Sequence, residues 1–117
     1  MRLLVCGGRD YANISAVNHA LGAVHRKYKI TVIIEGGAYG ADRLAREWAQ
    51  RNNITVVTFN ADWHKHGKAA GYIRNSQMLT EGKPDAVVAF PGGRGTNNMI
   101  KQACDAGVTV WLYSKTK

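Results

Sequence analysis

A chain of 117 residues with 45% hydrophobic content has material for one core, which predicts a single domain over residues 1–117. Sixteen Lys and Arg against eight Asp and Glu leave a formal net charge of +8, which favours polyanionic or phosphorylated partners. No apolar run approaches the roughly 20 residues of a membrane span, and the opening "MRLLVCGGRD" reaches its glycines too soon for a secretory signal, so a cytoplasmic protein with no membrane partner is expected.

In chain order, "RLLVCG" (Arg2–Gly7) is the first of five short runs rich in Val, Ile and Leu. The others are "TVIIEGG" (Thr31–Gly37), "ITVVTF" (Ile54–Phe59), "DAVVAF" (Asp85–Phe90) and "VTVWLY" (Val108–Tyr113). They lack the polar alternation of a half-exposed sheet and read as buried parallel strands. Between the first two, Ile14, Val17, Leu21, Val24 and Tyr28 recur at helical spacing; after the second, Ala41, Leu44, Ala45, Trp48 and Ala49 do the same. A third helix is predicted from about Lys68 to Leu79. A fourth carries Met99, Ile100, Ala103 and Cys104 on one side and stops at Gly107, a C-terminal cap. Strands alternating with helices predict an α/β fold: a Rossmann-like, doubly wound, mostly parallel five-stranded sheet with helices on both faces. Cys6 in a strand and Cys104 on an apolar helix side are expected to be reduced core thiols. Trp48 and Trp111 suit either the core or an interface between copies.

Ligands of such sheets sit beyond the carboxyl ends of the strands, and three glycine clusters fall there. Gly7, Gly8 and Arg9 follow the first strand; Gly36, Gly37, Ala38, Gly40 and Asp42 follow the second; Pro91, Gly92, Gly93, Arg94, Gly95, Thr96 and Asn97 follow the fourth. A single glycine turn answers to backbone needs alone. Three on one rim bring backbone N–H groups and helix N-termini together, the geometry that receives phosphate. Thr96 reads as the N-cap of the last helix, with a phosphate contact as the alternative. Arg94 either bonds a phosphate or points to solvent. Asp42 is either a helix-start acid stabilised by the dipole, or a ribose hydroxyl acceptor or general base.

The segment "ADWHKHGKAAGYIRNSQM" (Ala61–Met78) is the least generic. Trp63 could stack on a base or pack the loop down. Arg74 and Asn75 offer a fork of donors and an amide, suited to a phosphate and a sugar or base edge, or else face solvent. His64 and His66 have only Asp62 beside them, so no metal is expected, and no cofactor is assigned. The basic residues Arg26, Lys27, Lys29, Arg43, Arg46, Arg51, Lys65, Lys68, Lys115 and Lys117 are scattered rather than blocked.

Together "CGGRDY", "EGGAYGADRLAREWA", "ADWHKHGKAAGYIRNSQML" and "AFPGGRGTNNMI" resemble the SLOG superfamily, in its small YspA-type branch, over nearly the whole chain. Its relatives include the LOG phosphoribohydrolases and the DNA-processing protein A fold. The resemblance implies a domain that binds a nucleotide or nucleotide-derived molecule on its glycine-rich rim, and association into a homo-oligomer, a dimer or larger. In LOG enzymes the Pro-Gly-Gly-x-Gly-Thr signature runs on into two glutamates, one of which works with an arginine in N-glycosidic cleavage. Pro91, Gly92, Gly93, Gly95 and Thr96 match the cradle and Arg74 the arginine, but Asn98 and Met99 replace the acids and neither can act as a carboxylate. The resemblance therefore implies a protein that senses or sequesters its ligand rather than an enzyme. Two alternatives stand beside it: a hydrolase of LOG type using Arg74 with Asp42, or with Glu35, Asp10 or Asp62; and a single-stranded DNA-binding protein.

Overall fold

The computed structural model describes residues 1–114, so Lys115 and Lys117 lie outside the described residues. Five strands, β1 (Arg2–Cys6), β2 (Val32–Glu35), β3 (Thr55–Thr58), β4 (Ala86–Ala89) and β5 (Thr109–Leu112), form one sheet in the order β3-β2-β1-β4-β5. Every pairing is parallel. Each strand stops a residue or more short of its apolar run; after β1 and β2 the glycines beyond it already belong to turns.

The helices are α1 (Ile14–Tyr28), α2 (Ala41–Arg51), a single turn α3 (Trp63–His66), α4 (Ala70–Thr80) and α5 (Arg94–Asp105). Successive strand side chains point to opposite faces, and both faces are covered. Leu3, Val5, Ile33 and Val88 pack against Val17 and Leu21 of α1 and Ala45 and Trp48 of α2. Leu4, Cys6, Ile34, Val87 and Ala89 pack against Met78 of α4 and Met99 and Ala103 of α5. This two-sided cover is why the central strands read as unbroken hydrophobic runs. The chain is thus a doubly wound, Rossmann-like α/β fold.

Several expectations need correction. The edge strands are not fully buried: β3 exposes Thr55 and Thr58 and β5 exposes Thr109 and Leu112, since one side of each lacks a neighbouring strand. The third long helix starts at Ala70 rather than Lys68. Asp62 caps α3 by accepting from the Lys65 N–H at 3.0 Å, and a 3₁₀ turn over Gly67–Ala69 separates α3 from α4. Cys104 is exposed, while Cys6 is buried. Ile14 and Tyr28 at the ends of α1 are exposed as well, although Tyr28 stacks on Trp111 with centroids 5.6 Å apart. Trp48 is a core residue, its indole met edge-on by the His25 ring. Gly107, at φ +75°, does end α5 as the left-handed residue after the cap.

Among the described residues no helix is long and apolar enough to cross a membrane.

Candidate functional site

The crossover direction reverses between β1 and β4, and the loops leaving those strands are tied by the Gly8 N–H donating to the Pro91 carbonyl at 2.9 Å. A cleft of about 400 Å³ opens there, within the range of small-ligand sites. Its walls combine all the carboxyl-end loops except that of β5. Gly7, Gly8 and Arg9 come from the first, Ala38 and Asp42 from the second, Trp63 from the third, Arg74 and Asn75 from α4, and Gly93, Arg94, Gly95 and Thr96 from the fourth.

Six expected residues lie off this lining: Gly36, Gly37, Gly40, Pro91, Gly92 and Asn97. The reason is visible in their bonds. The Gly36 and Ala38 N–H groups donate to Asp42 Oδ2 at 3.1 and 3.3 Å, and the Gly37 N–H donates to Glu35 Oε1 at 2.7 Å. The Gly36, Gly37 and Ala38 N–H groups of the second glycine loop are therefore spent on the chain's own carboxylates. Gly40 is fixed by packing instead: it sits at φ +74°, and a Cβ there would lie 2.1 Å from the Gly8 carbonyl oxygen. Gly92 is likewise pinned between Gly8 and the Thr96 hydroxyl.

Glu35 is fully buried and takes no part in the cleft. Besides Gly37 it accepts from Arg46 at 3.3 Å and from the Thr58 hydroxyl. Asp10 and Asp62 are exposed and also off the lining. Of the acids considered, Asp42 alone lines the cleft. Burial, and then the nearby Glu35 carboxylate, push its pKa up to about 6, against the pull of the Ala38 N–H, Arg74 and the Gly36 N–H. Burial holds the Arg74 guanidinium below its ordinary value while Asp42 works the other way. Cys6 on the cleft floor is pushed up to about 12, chiefly by burial, and stays a thiol at neutral pH.

Thr96 is not the N-cap of α5. That residue is Gly93, with no side-chain bond to the helix; Thr96 is the third helical residue and is buried. The first turn of α5 thus begins uncapped at the cleft, where the leading N–H groups of a helix lack intrahelical acceptors. Gly93 and Gly95 differ from the other site glycines. Neither has a positive φ, and a Cβ on either would meet nothing within 4 Å.

Asn98 and Met99 have other duties than the acids of LOG enzymes. Met99 is core. Asn98 Oδ1 accepts from Asn75 Nδ2 at 3.1 Å and from Gln102 Nε2 at 2.7 Å, and Asn75 also donates to the Gly95 carbonyl. These amides join α4 to α5. Asn75 further accepts from Arg74 Nε at 3.1 Å, which fixes the guanidinium over the cleft.

Sequence reasoning missed Cys6, Lys68, Gly71, Tyr72 and Met78 on the lining. The signal was present in part: Lys68, Gly71, Asn75 and Met78 recur every three or four residues, one face of the approach to α4 and of α4 itself. At the mouth Trp63 is 49% exposed, with the Arg9 guanidinium 5.4 Å from its ring centroid. Among the described residues no three His, Cys, Asp or Glu side chains gather as a metal would require.

The fold and this cleft define a doubly wound α/β protein with a cleft lined by Arg9, Lys68, Arg74 and Arg94 at its switch point. The sequence profile of the YspA, cpYpsA-related SLOG family matches residues 1–66, and the chain belongs to that family. It is similar to the Gene 61 protein of Mycobacterium phage D29, 38% identical over 117 residues, which covers 93% of each chain. Among solved structures, phosphoribosylglycinamide formyltransferase from Bacillus halodurans overlaps 92% of this chain and 66% of its own. The TM-score is 0.45 and the identity 18%.

Proposed function

We propose that the protein binds a phosphorylated nucleoside in this cleft, phosphate at the α5 N-terminus, and senses or sequesters it. The observation that carries this reading is Gly95, in the first turn of α5 behind the Gly93 cap. Gly95 is the second residue of α5, where glycine costs about 0.5–1 kcal/mol relative to Ala, and neither a positive φ nor packing within the chain asks for it there. An anion approaching the uncapped N–H groups does ask for it. Arg9, Lys68, Arg74 and Arg94 line the same cleft, against Asp42 as the one acid on its lining. Trp63 offers an exposed ring for a base.

Thermal unfolding against nucleoside mono-, di- and triphosphates, cyclic nucleotides and dinucleotides, with a short single-stranded DNA alongside, tests this. A ligand at ~100 times its Kd adds roughly 2.7 kcal/mol, a shift of about ten degrees for a domain of this size. A shift with one nucleotide class, reduced by Gly93→Asp, supports the reading; a shift with DNA alone overturns it.

A second reading, cleavage of the N-glycosidic bond, is favoured by the Asp42 carboxyl near pKa 6 beside Arg74, since a general base works best near the operating pH. Free base accumulating beside the bound nucleotide, and absent with Asp42→Asn, supports it; nucleotide recovered intact supports the binder.

A further inference from the structure

Asp42 is an anomaly in a site lined by four cations, because a carboxylate repels the phosphate those cations attract. Its side chain is 6% exposed. Oδ2 is committed to the Gly36 and Ala38 N–H groups. Oδ1 accepts no hydrogen bond from the described residues, yet no side-chain oxygen or nitrogen among them is both buried and without a partner. Oδ1 therefore opens into the cleft that Asp42 lines.

Arg74 presents the complementary case. Nη1 donates to the Gly36 carbonyl and Nε to Asn75 Oδ1 at 3.1 Å, which leaves Nη2 uncommitted on the same lining. Nη1 of Arg74 and Oδ2 of Asp42 both lie against Gly36 and both residues line the cleft, so the open acceptor and the open donor belong to one wall of it.

An acceptor beside a donor matches a group that both gives and takes a hydrogen bond, which a sugar hydroxyl does and a phosphate does not. With the anion at the α5 N-terminus and an aromatic ring at the mouth, the part of a nucleotide that reaches the floor between them is the pentose. We infer that Asp42 Oδ1 and Arg74 Nη2 form a ribose subsite, which makes the protein selective for ribonucleotides over deoxyribonucleotides. This rests on the nucleotide-binding reading above.

The test is a set of dissociation constants for the full chain with AMP, ADP, GMP and GDP and with their 2′-deoxy and 3′-deoxy counterparts, repeated in Asp42→Asn. The asparagine oxygen can keep the bonds to Gly36 and Ala38 while an amide N–H₂ replaces the open acceptor. A ribonucleotide should bind at least about tenfold tighter than one of its deoxy forms, because a missing hydroxyl leaves a buried acceptor unpaired. Asp42→Asn should erase that ratio. Equal affinity for all three sugars, with binding otherwise intact, overturns the ribose subsite alone, as does a ratio unchanged in Asp42→Asn. No binding of any of these nucleotides removes the underlying reading as well. Should Asp42→Asn fail to fold, the wild-type ratio decides.

Discussion

Asp42 carries two obligations that pull against each other. One oxygen holds the β2–α2 loop in shape, while burial makes the charge of the other expensive. Its folded pKa of about 6 lies above the ordinary carboxyl value of 3.8, so the folded state holds the proton more tightly than the unfolded chain. The sign follows: this group's stabilising contribution is complete below about pH 4 and is lost as the pH rises through about 6. Asp42→Asn removes the cost of ionisation, so its unfolding midpoint relative to wild type should be higher at pH 8 than at pH 4.5, by the equivalent of about 1–3 kcal/mol. Thermal unfolding of both proteins at the two pH values checks it; a difference independent of pH would mean that Asp42 ionises as freely in the fold as in the open chain. Its place at a helix start on the rim was legible in sequence. Which of its oxygens is spent was not, since that depends on loop donors whose direction only the folded backbone sets. The same applies to Glu35, which sat at a strand's carboxyl end as a reachable acid and is in fact sealed by Gly37, Arg46 and Thr58.

At the level of elements, the proposed function rests on α5. Its sequence predicted a helix capped by Thr96; the cap lies three residues earlier because Gly93 supplies the non-helical turn and Thr96 is drawn inward against Gly92. Gly95→Ala should raise the unfolding midpoint slightly, by the equivalent of ~0.5 kcal/mol of helix propensity, while weakening nucleotide binding at least tenfold by placing a methyl group in the anion's path. Unfolding curves with and without nucleotide read both effects at once. A variant that is less stable and binds normally would assign Gly95 to folding rather than to the ligand. The strands and the long helices α1, α2 and α5 were legible because their periodicity is strong. The start of α4 was not, because Lys68 in the turn before it and Gly71 and Asn75 on its cleft-facing side stand where a helix facing the core would carry aliphatic residues. The amide clamp of Asn75, Asn98 and Gln102 was also hidden, since its members are 23 and 4 residues apart in sequence and meet only when α4 lies along α5.

For the molecule as a whole, the formal charge of +8 acts over distances that contacts do not reach. Between about 0.01 M and about 0.1 M salt the screening length falls from roughly 30 to roughly 10 Å. Nucleotide association should therefore slow several-fold across that range while dissociation changes little, because steering acts before contact and the bound anion is held at short range. Stopped-flow tryptophan fluorescence measures both rates; an association rate indifferent to salt would confine the excess charge to surfaces remote from the cleft.

The β2–α2 loop has its donors satisfied by Asp42 and Glu35 before any ligand arrives. A ligand consequently meets one wall that is already in its final form and spends no entropy ordering it. Under the proposed function, that part of the ordering cost of binding is met by the fold itself, and more of the interaction energy is left to appear as affinity.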